Sequence, residues 1–488
     1  FRSGLPPRGG FRDLAVVGER LYVLDAVDER IVVLDRQGAV LGRQDVPAAP
    51  YRLGPLGDDA LWVLAGTAPT LSVLPLHEGL PGAPIGAALS VPVRDAAYDP
   101  DVDRLWTVGP EDRPVRRHTG KLDGPGTEVL GWDRRTLLAG AAVPVERRPG
   151  RGVDGTRIVI TPTGPAVAYT GSDRVAWDGR LEPAGLAPSG LAWHDGTLAV
   201  AARHSDAVIV LGKGAMVEEL DPAPRKSLED LGERLLFTPA LWDGPAATCV
   251  GCHWDGGVDH RLHPGVGEIR WEQTRPFAGA GALRPLFTPG QAANLAVAVE
   301  GLIRGLDDRV AAPGRAPWWL GPRSVMTKHG PRELAAADVR EALLAAIAAW
   351  PIERGPRFGT VPAAQWDEGV GLLVRDCVHC HEAVLDSASR ERIPDERLAD
   401  VLGDKPVAFS ARLFASAGPP AFTERGNRVP PLWQLDRGGP FLSDGSASTL
   451  AELIDHSDPR AERVHGHSGP PHYLPRERDA LVAVLLSL

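Results

Sequence analysis

The chain has 488 residues, enough for two or three domains that each bury a core of their own. Its 53 lysines and arginines against 63 aspartates and glutamates leave a formal charge of −10, which argues against nucleic acid as a partner. No run of 18 or more uncharged apolar residues is present to span a membrane.

Residues 1–220 read as an all-β, propeller-like domain. Short apolar runs alternate with turn residues: Leu21-Tyr22-Val23-Leu24-Asp25, then Ile31-Val32-Val33-Leu34-Asp35, then a turn at Gln37-Gly38. The first run is echoed by Leu61-Trp62-Val63-Leu64, Leu105-Trp106-Thr107-Val108, Ala166-Val167-Ala168-Tyr169 and Leu198-Ala199-Val200-Ala201. The first two steps are 40 and 44 residues, the length of one four-stranded blade. At about 40 residues per blade the segment holds five blades, so either the propeller is small or later segments complete it. Arg134 to Gly155 is expected to hold an insertion or a long loop, and a β-sandwich stays open as the alternative for strands this short. His77, His118, His194 and His204 are scattered and suggest no metal or catalytic cluster on this domain.

A second domain is expected over residues 221–360. Pro222, Pro224 and Arg225-Lys226-Ser227 read as a linker, and Ser227-Leu228-Glu229-Asp230 starts a helix, capped by the Ser227 hydroxyl, that runs to Phe237. The motif Cys249-Val250-Gly251-Cys252-His253 follows. Glu333 to Trp350 is the clearest helix, with Leu334, Val339, Leu343, Leu344 and Ile347 giving an apolar stripe, and Pro351, Pro356 and Pro362 mark the end of the domain.

The third domain, residues 361–488, opens with a helix over Gln365 to Leu373 that carries Cys377 at its end. Here the motif recurs as Cys377-Val378-His379-Cys380-His381, so the two copies use all four cysteines and leave none for a disulfide. Two thiols three positions apart can each add across a vinyl group of one haem, and the histidine that follows turns its imidazole onto the iron. Cys249, Cys252, Cys377 and Cys380 are thus the expected tethers of two covalently bound haem c groups, with His253 and His381 as proximal ligands. Zinc is the competing reading, but the pairs lie about 130 residues apart against the ~15–20 of a compact zinc ribbon. A dithiol redox pair is the other alternative. The fold class expected is therefore multidomain, an all-β propeller followed by two mainly α cytochrome c-type domains. Haem attachment of this kind is completed outside the cytoplasm, and the chain opens at Phe1, as after removal of a signal peptide. A periplasmic, extracellular or outer-surface protein is expected.

Downstream of the second motif stand Val429-Pro430-Pro431-Leu432-Trp433-Gln434-Leu435, Gly439-Pro440-Phe441-Leu442-Ser443-Asp444-Gly445-Ser446 and Thr449-Leu450-Ala451-Glu452-Leu453-Ile454-Asp455-His456. Together with the two CxxCH motifs, these resemble the bacterial di-haem cytochrome c peroxidase and MauG family over about residues 227–488. The resemblance implies two haem domains related by duplication, a calcium ion between them, electron transfer between the haems, and reduction of peroxide or oxidation of a protein or small molecule at the first haem. It also implies a redox partner protein or small electron donor, and leaves a protein substrate open.

The resemblance points to further site residues. Glu300 is the nearest carboxylate to the position of the peroxide-site glutamate, but Thr288, Pro289 and Ala298 replace the tryptophan, aspartate and glutamine of relatives. His263, with His260 second, matches the displaceable distal ligand of the first haem. For the second haem, Ser457 falls where relatives place a methionine or tyrosine, and His456 is the first choice among His456, His465, His467 and His472. A His/Met haem would need Met326. Three functions follow: a peroxidase-like or MauG-like oxidoreductase, a non-catalytic electron carrier, or an interaction module whose propeller binds a partner in a surface assembly.

Overall fold

In the computed structural model the described residues are 11–109 and 126–220 less a few short stretches, 227–241, 248–259, 262–264, 271–281, 294–301, 322–350, 361–377, 449–454 and 472–488, with a few isolated paired residues between them. Residues 11–219 fold into five consecutive antiparallel meanders: β1–β4 (Phe11–Val17, Arg20–Asp25, Arg30–Leu34, Val40–Asp45), β5–β9 (Pro50–Pro55, Ala60–Ala65, Thr70–His77, Leu80–Pro81, Ile85–Ala88), β10–β13 (Asp95–Asp99, Arg104–Val108, Gly126–Asp133, Pro144–Gly150), β14–β17 (Gly155–Thr161, Gly164–Tyr169, Arg174–Trp177, Arg180–Pro183) and β18–β21 (Pro188–His194, Thr197–Ala202, Ala207–Gly212, Met216–Glu219). The first strands pack on one another in the order β1, β5, β10, β14, β18. Five separate sheets stacked by their first strands are propeller-like blades and not the two facing sheets of a sandwich.

The five echoed runs are β2, β6, β11, β15 and β19, the second strand of every blade. Their near-continuous apolar character has a direct cause, since an inner strand of a blade is covered on both faces. In β6, Leu61 and Val63 join Tyr22, Leu24 and Ile31 of the first blade, whereas Trp62 and Leu64 join Leu105, Leu130 and Trp132 of the third. The period-2 alternation that would mark one buried face is lost because both faces are buried. Hairpins close on left-handed pairs such as Asp178-Gly179 (φ 48° and 72°) and Asp195-Gly196 (φ 44° and 78°), the backbone that a two-residue hairpin turn demands.

Two expectations are corrected. Arg134 to Gly155 is not an insertion: helix α1 (Arg134–Leu138) and β13 complete the third blade, with Asp133 capping Thr136 N at 3.0 Å. The helix expected over Glu333 to Trp350 begins at Ala336, because Glu333 and Leu334 pair with Ser324 and Arg323 in the hairpin of β24 (Arg323–Thr327) and β25 (Gly330–Leu334). Between the blades and that hairpin lie α2 (Leu228–Leu236), the short pair β22 (Leu262–Pro264) and β23 (Trp271–Gln273), and α3, helical over 295–301; after it come α4 (Ala336–Ala348), α5 (Ala363–Asp376), α6 (Leu450–Ile454) and α7 (Pro475–Leu485). Ser227 caps α2 as expected, its hydroxyl accepting from Asp230 N at 3.1 Å while the Asp230 carboxylate accepts from Ser227 N at 3.2 Å.

The helices form two crossings of the same kind. Gly232 of α2 sits against Ala342 of α4, where a Cβ would come 1.8 Å from the Ala342 carbonyl oxygen, and Gly369 of α5 sits against Ala480 of α7, where it would come 2.3 Å from that carbonyl. In each pair a glycine lets two helix backbones touch, and the leucines around it close a core: Leu231, Leu235, Leu343 and Ile347 in the first, Leu373, Leu481, Val484 and Leu485 in the second.

Candidate functional site

The first cysteine motif is wound into a tight turn. Cys249–Gly251 is a single 3-10 turn capped by Thr248, whose Oγ1 accepts from Gly251 N at 3.1 Å; Cys252 N and His253 N both donate to the Cys249 carbonyl, at 3.3 and 3.0 Å. Residues three apart eclipse in such a turn, so Cys249 and Cys252 share one side and His253 follows directly. The His253 ring stacks on Phe277 with centroids 4.1 Å apart, and Phe277 meets the edge of Trp350 at 5.6 Å. The Trp350 indole occupies the space above Gly256, which holds φ 78°, so that position admits glycine alone.

The turn rests on the propeller. Asp154, directly before β14, is 3% exposed and accepts a hydrogen bond from the Thr248 hydroxyl through Oδ2. Its Oδ1 lies 2.9 Å from where a Cβ on Gly251 would stand, which is the physical reason for a glycine inside this CxxCH. Trp254, the residue after His253, donates from Nε1 to Gly251 O at 3.1 Å and meets the edge of Tyr51 at 5.6 Å; the Arg94 guanidinium lies over its ring at 5.2 Å. Tyr51, Arg94 and Asp154 stand at or just before the starts of β5, β10 and β14, so three blades offer their entry ends to one motif.

The same end of the propeller carries the ion pairs to α2 and the β24–β25 hairpin. Register places the start of β14 opposite the end of β15, and the start of β18 opposite the end of β19, so the turns after those second strands lie at the entry end. From them Asp173 pairs with the buried Arg234, Asp206 with Lys328 at 3.2 Å, and Arg203 with Glu233 at 2.9 Å. His204 packs against Phe237, centroids 4.9 Å apart, with Nε2 3.6 Å from Glu233.

Charge states follow from this burial. Burial first, then Cys252 and Asp154, push the Cys249 thiol up to about 12, which disfavours the free thiolate that disulfide exchange requires. Burial raises Asp154, against the lowering effects of Arg94 and the Thr248 hydrogen bond. Among the described residues, no three histidine, cysteine, aspartate or glutamate side chains gather as they would around a metal ion.

The remaining expected site residues divide. Cys377 ends α5, its N donating to Leu373 O at 2.9 Å, and packs on the core of the second helix pair; Asp376 beside it accepts from the Tyr473 hydroxyl at 2.9 Å and from Arg375. Cys380, His381, His260, His456, Thr288 and Ser457 lie outside the described residues. His263 is in β22, in register with Glu272. Met326 is half exposed, and its carbonyl accepts from Arg234 Nε at 3.1 Å. Glu300 is engaged by Arg340 Nε at 2.6 Å on the outer side of α3 and α4, both side chains more than a third exposed. Sequence reasoning missed Tyr51, Arg94, Asp154 and Thr248. Thr248, a capping residue directly before the motif, was the one signal available.

No family model and no curated protein matches the chain. Among solved structures it is similar to the Kuenenia stuttgartiensis hydrazine synthase (17% identity, 41% of this chain and 64% of that one, TM-score 0.32), to the dihydro-heme d1 dehydrogenase NirN in complex with DHE (18%, 44% and 48%, TM-score 0.32) and to the β-propeller domain of Myceliophteria thermophila Cps50 (Swd1) (12%, 44% and 74%, TM-score 0.31). The chain spans less than two thirds of the first two. Likeness at this level carries no functional argument, and the propeller-like assignment rests on the strand pairing. No described helix is long and apolar enough to cross a membrane.

Proposed function

We propose that the chain is a two-haem c-type redox protein, an oxidoreductase of the di-haem peroxidase-like kind, whose first haem is held by Cys249, Cys252 and His253 at the entry end of the propeller and whose second is held by Cys377, Cys380 and His381. The observation that carries this reading is the turn at the first motif. Two cysteines on one side of a capped 3-10 turn, with a histidine next in line, suit the two thioether tethers and the proximal ligand of one haem. Aromatic side chains at Phe277, Trp350 and Trp254 supply the apolar surround that such a macrocycle needs. Bound there, haem would supply one-electron chemistry at iron. The protein's own part is to fix the two sulfurs, orient the imidazole and exclude water through Trp254 and the propeller end. Domains at 1–220, 221–360 and 361–488, a redox partner, and a location outside the cytoplasm belong to the same proposal.

Electron transfer without peroxide chemistry is the second reading, and one observation favours it. Glu300, the carboxylate expected to move the peroxide proton, is bound to Arg340 on an outer surface. A haem stain of the denatured full-length chain tests the tether: the wild type should stain, Cys249→Ala/Cys252→Ala should lose about half, and a negative wild type ends the haem reading. Electron paramagnetic resonance of the oxidised protein with and without peroxide separates the two functions. A high-spin signal altered by peroxide supports the oxidoreductase, and two low-spin signals that ignore peroxide leave the carrier.

A further inference from the structure

Arg94 stands out among the charged groups near the first motif. It is 6% exposed, it directly precedes the third blade's first strand, and its Nη1 is buried without a hydrogen bond among the described residues. Its guanidinium lies 5.2 Å from the centroid of Trp254, the residue that follows His253. Asp154 is near enough to feel the charge, but its Oδ2 is occupied by the Thr248 hydroxyl and no ion pair joins it to Arg94. A buried guanidinium nitrogen without an acceptor is strongly disfavoured unless something anionic meets it. Arg234, the other buried arginine at this end among the described residues, also has an unbonded Nη1, but its Nη2 and Nε reach Asp173 and the Met326 carbonyl, whereas no side-chain hydrogen bond or ion pair of Arg94 is present among the described residues.

We infer that Arg94 is a cofactor-binding residue: the propeller lends it to the first haem, where it pairs with a propionate. The inference rests on the haem reading above and goes beyond it, because it makes the propeller part of the haem site. Its chemistry is that of a planar fork of N–H donors meeting a carboxylate, which arginine does and a lysine point charge does less well. The Trp254 ring lies within cation–π range of the guanidinium, 5.2 Å from centroid to Cζ, and uses none of its N–H donors in a hydrogen bond to an acceptor atom. The pairing also has a redox consequence. A fixed positive charge next to the propionate disfavours the ferric state, so it raises the reduction potential of that haem.

The test uses the full-length protein after the haem stain has established two tethered haems. Arg94→Gln should shift the propionate bending modes of one haem in resonance Raman spectra and lower one of two midpoint potentials in a spectroelectrochemical titration, with the other unchanged. Arg94→Lys, which keeps the charge and is the variant better able to fold, should restore most of the potential but not the propionate modes. Unchanged modes in both variants, with haem still bound, overturn the pairing while leaving the haem reading intact. A wild-type chain that carries no haem overturns both.

Discussion

Single residues at the junction between the motif and the propeller are under opposing constraints, which makes their substitutions informative. Gly251 faces Asp154 so closely that any Cβ must push a carboxylate already fixed by Thr248. Gly251→Ala is expected to destabilise the protein by about 1–3 kcal/mol through overpacking. Asp154→Ala should relieve that clash, so the double variant should melt higher than the sum of the two single losses predicts; strict additivity in thermal denaturation would show that Asp154 does not bear on Gly251. His204 offers a different test. Burial lowers its pKa from 6.5, ahead of the raising effect of Glu233 and the lowering effects of Arg234 and Arg203. The folded state therefore binds fewer protons at His204 than the unfolded state does, and the stability it contributes is present above about pH 6.5 and is lost as pH falls below that value. Asp95 and Asp154, both raised, contribute in the opposite sense, but they are common to wild type and variant. Between pH 7.5 and 5.5 the melting temperature of wild type should drop more than that of His204→Gln, and parallel curves would rule out His204 as the source.

At the scale of elements, legibility in the sequence follows from how local the determining interaction is. The second strand of each blade is visible because burial on both faces forces five similar apolar runs, and the start of α2 is visible because Ser227 and Asp230 cap each other within one turn. The outer part of the third blade is not, since β13 (Pro-Val-Glu-Arg-Arg-Pro-Gly) is mostly exposed and is fixed by pairing with β12, with Arg104 and Arg148 both reaching Glu146. The beginning of α4 is not legible either, because Glu333 and Leu334 suit a helix by propensity, and only the hairpin to Arg323 and Ser324 makes them a strand. The two glycine crossings were hidden for the same reason, because Gly232 and Gly369 look like weak points in their helices until the partner backbone is known. Their role gives a paired prediction. Gly369→Ala would drive a methyl into the Ala480 carbonyl and should cost about 2–3 kcal/mol, and Gly232→Ala, with its closer approach to Ala342, at least as much. Chemical denaturation of each variant checks this, and no loss, or the gain of about 0.4–1 kcal/mol that Gly→Ala brings at an exposed helical site, would mean the helices do not touch there.

At the scale of the whole molecule, the propeller does more than precede the first motif, because its entry end supplies Asp154, Asp173, Arg203 and Asp206 as partners of Thr248, Arg234, Glu233 and Lys328. Lys328 and Asp206 illustrate the energetics: both side chains are less than a tenth exposed, and Glu219 is a second acceptor at 3.8 Å that is half in solvent. A buried pair contributes little net stability while intact, but removing one member strands the other. Asp206→Ala should therefore cost about 3 kcal/mol, somewhat less to the extent that Glu219 swings in, whereas Asp206→Ala with Lys328→Met should recover most of the loss by replacing the pair with apolar packing. The location of the pair makes calorimetry the informative measurement. With the interface intact, the propeller and the α2–α4 unit are held by contacts from four blades and should unfold in one transition. Asp206→Ala should split that transition into two, since the change weakens the seam and leaves the leucines of both cores in place. A single transition that merely moves down in temperature would place the cooperativity in the cores themselves, and the propeller would then be a support for the motif and not a partner in its folding.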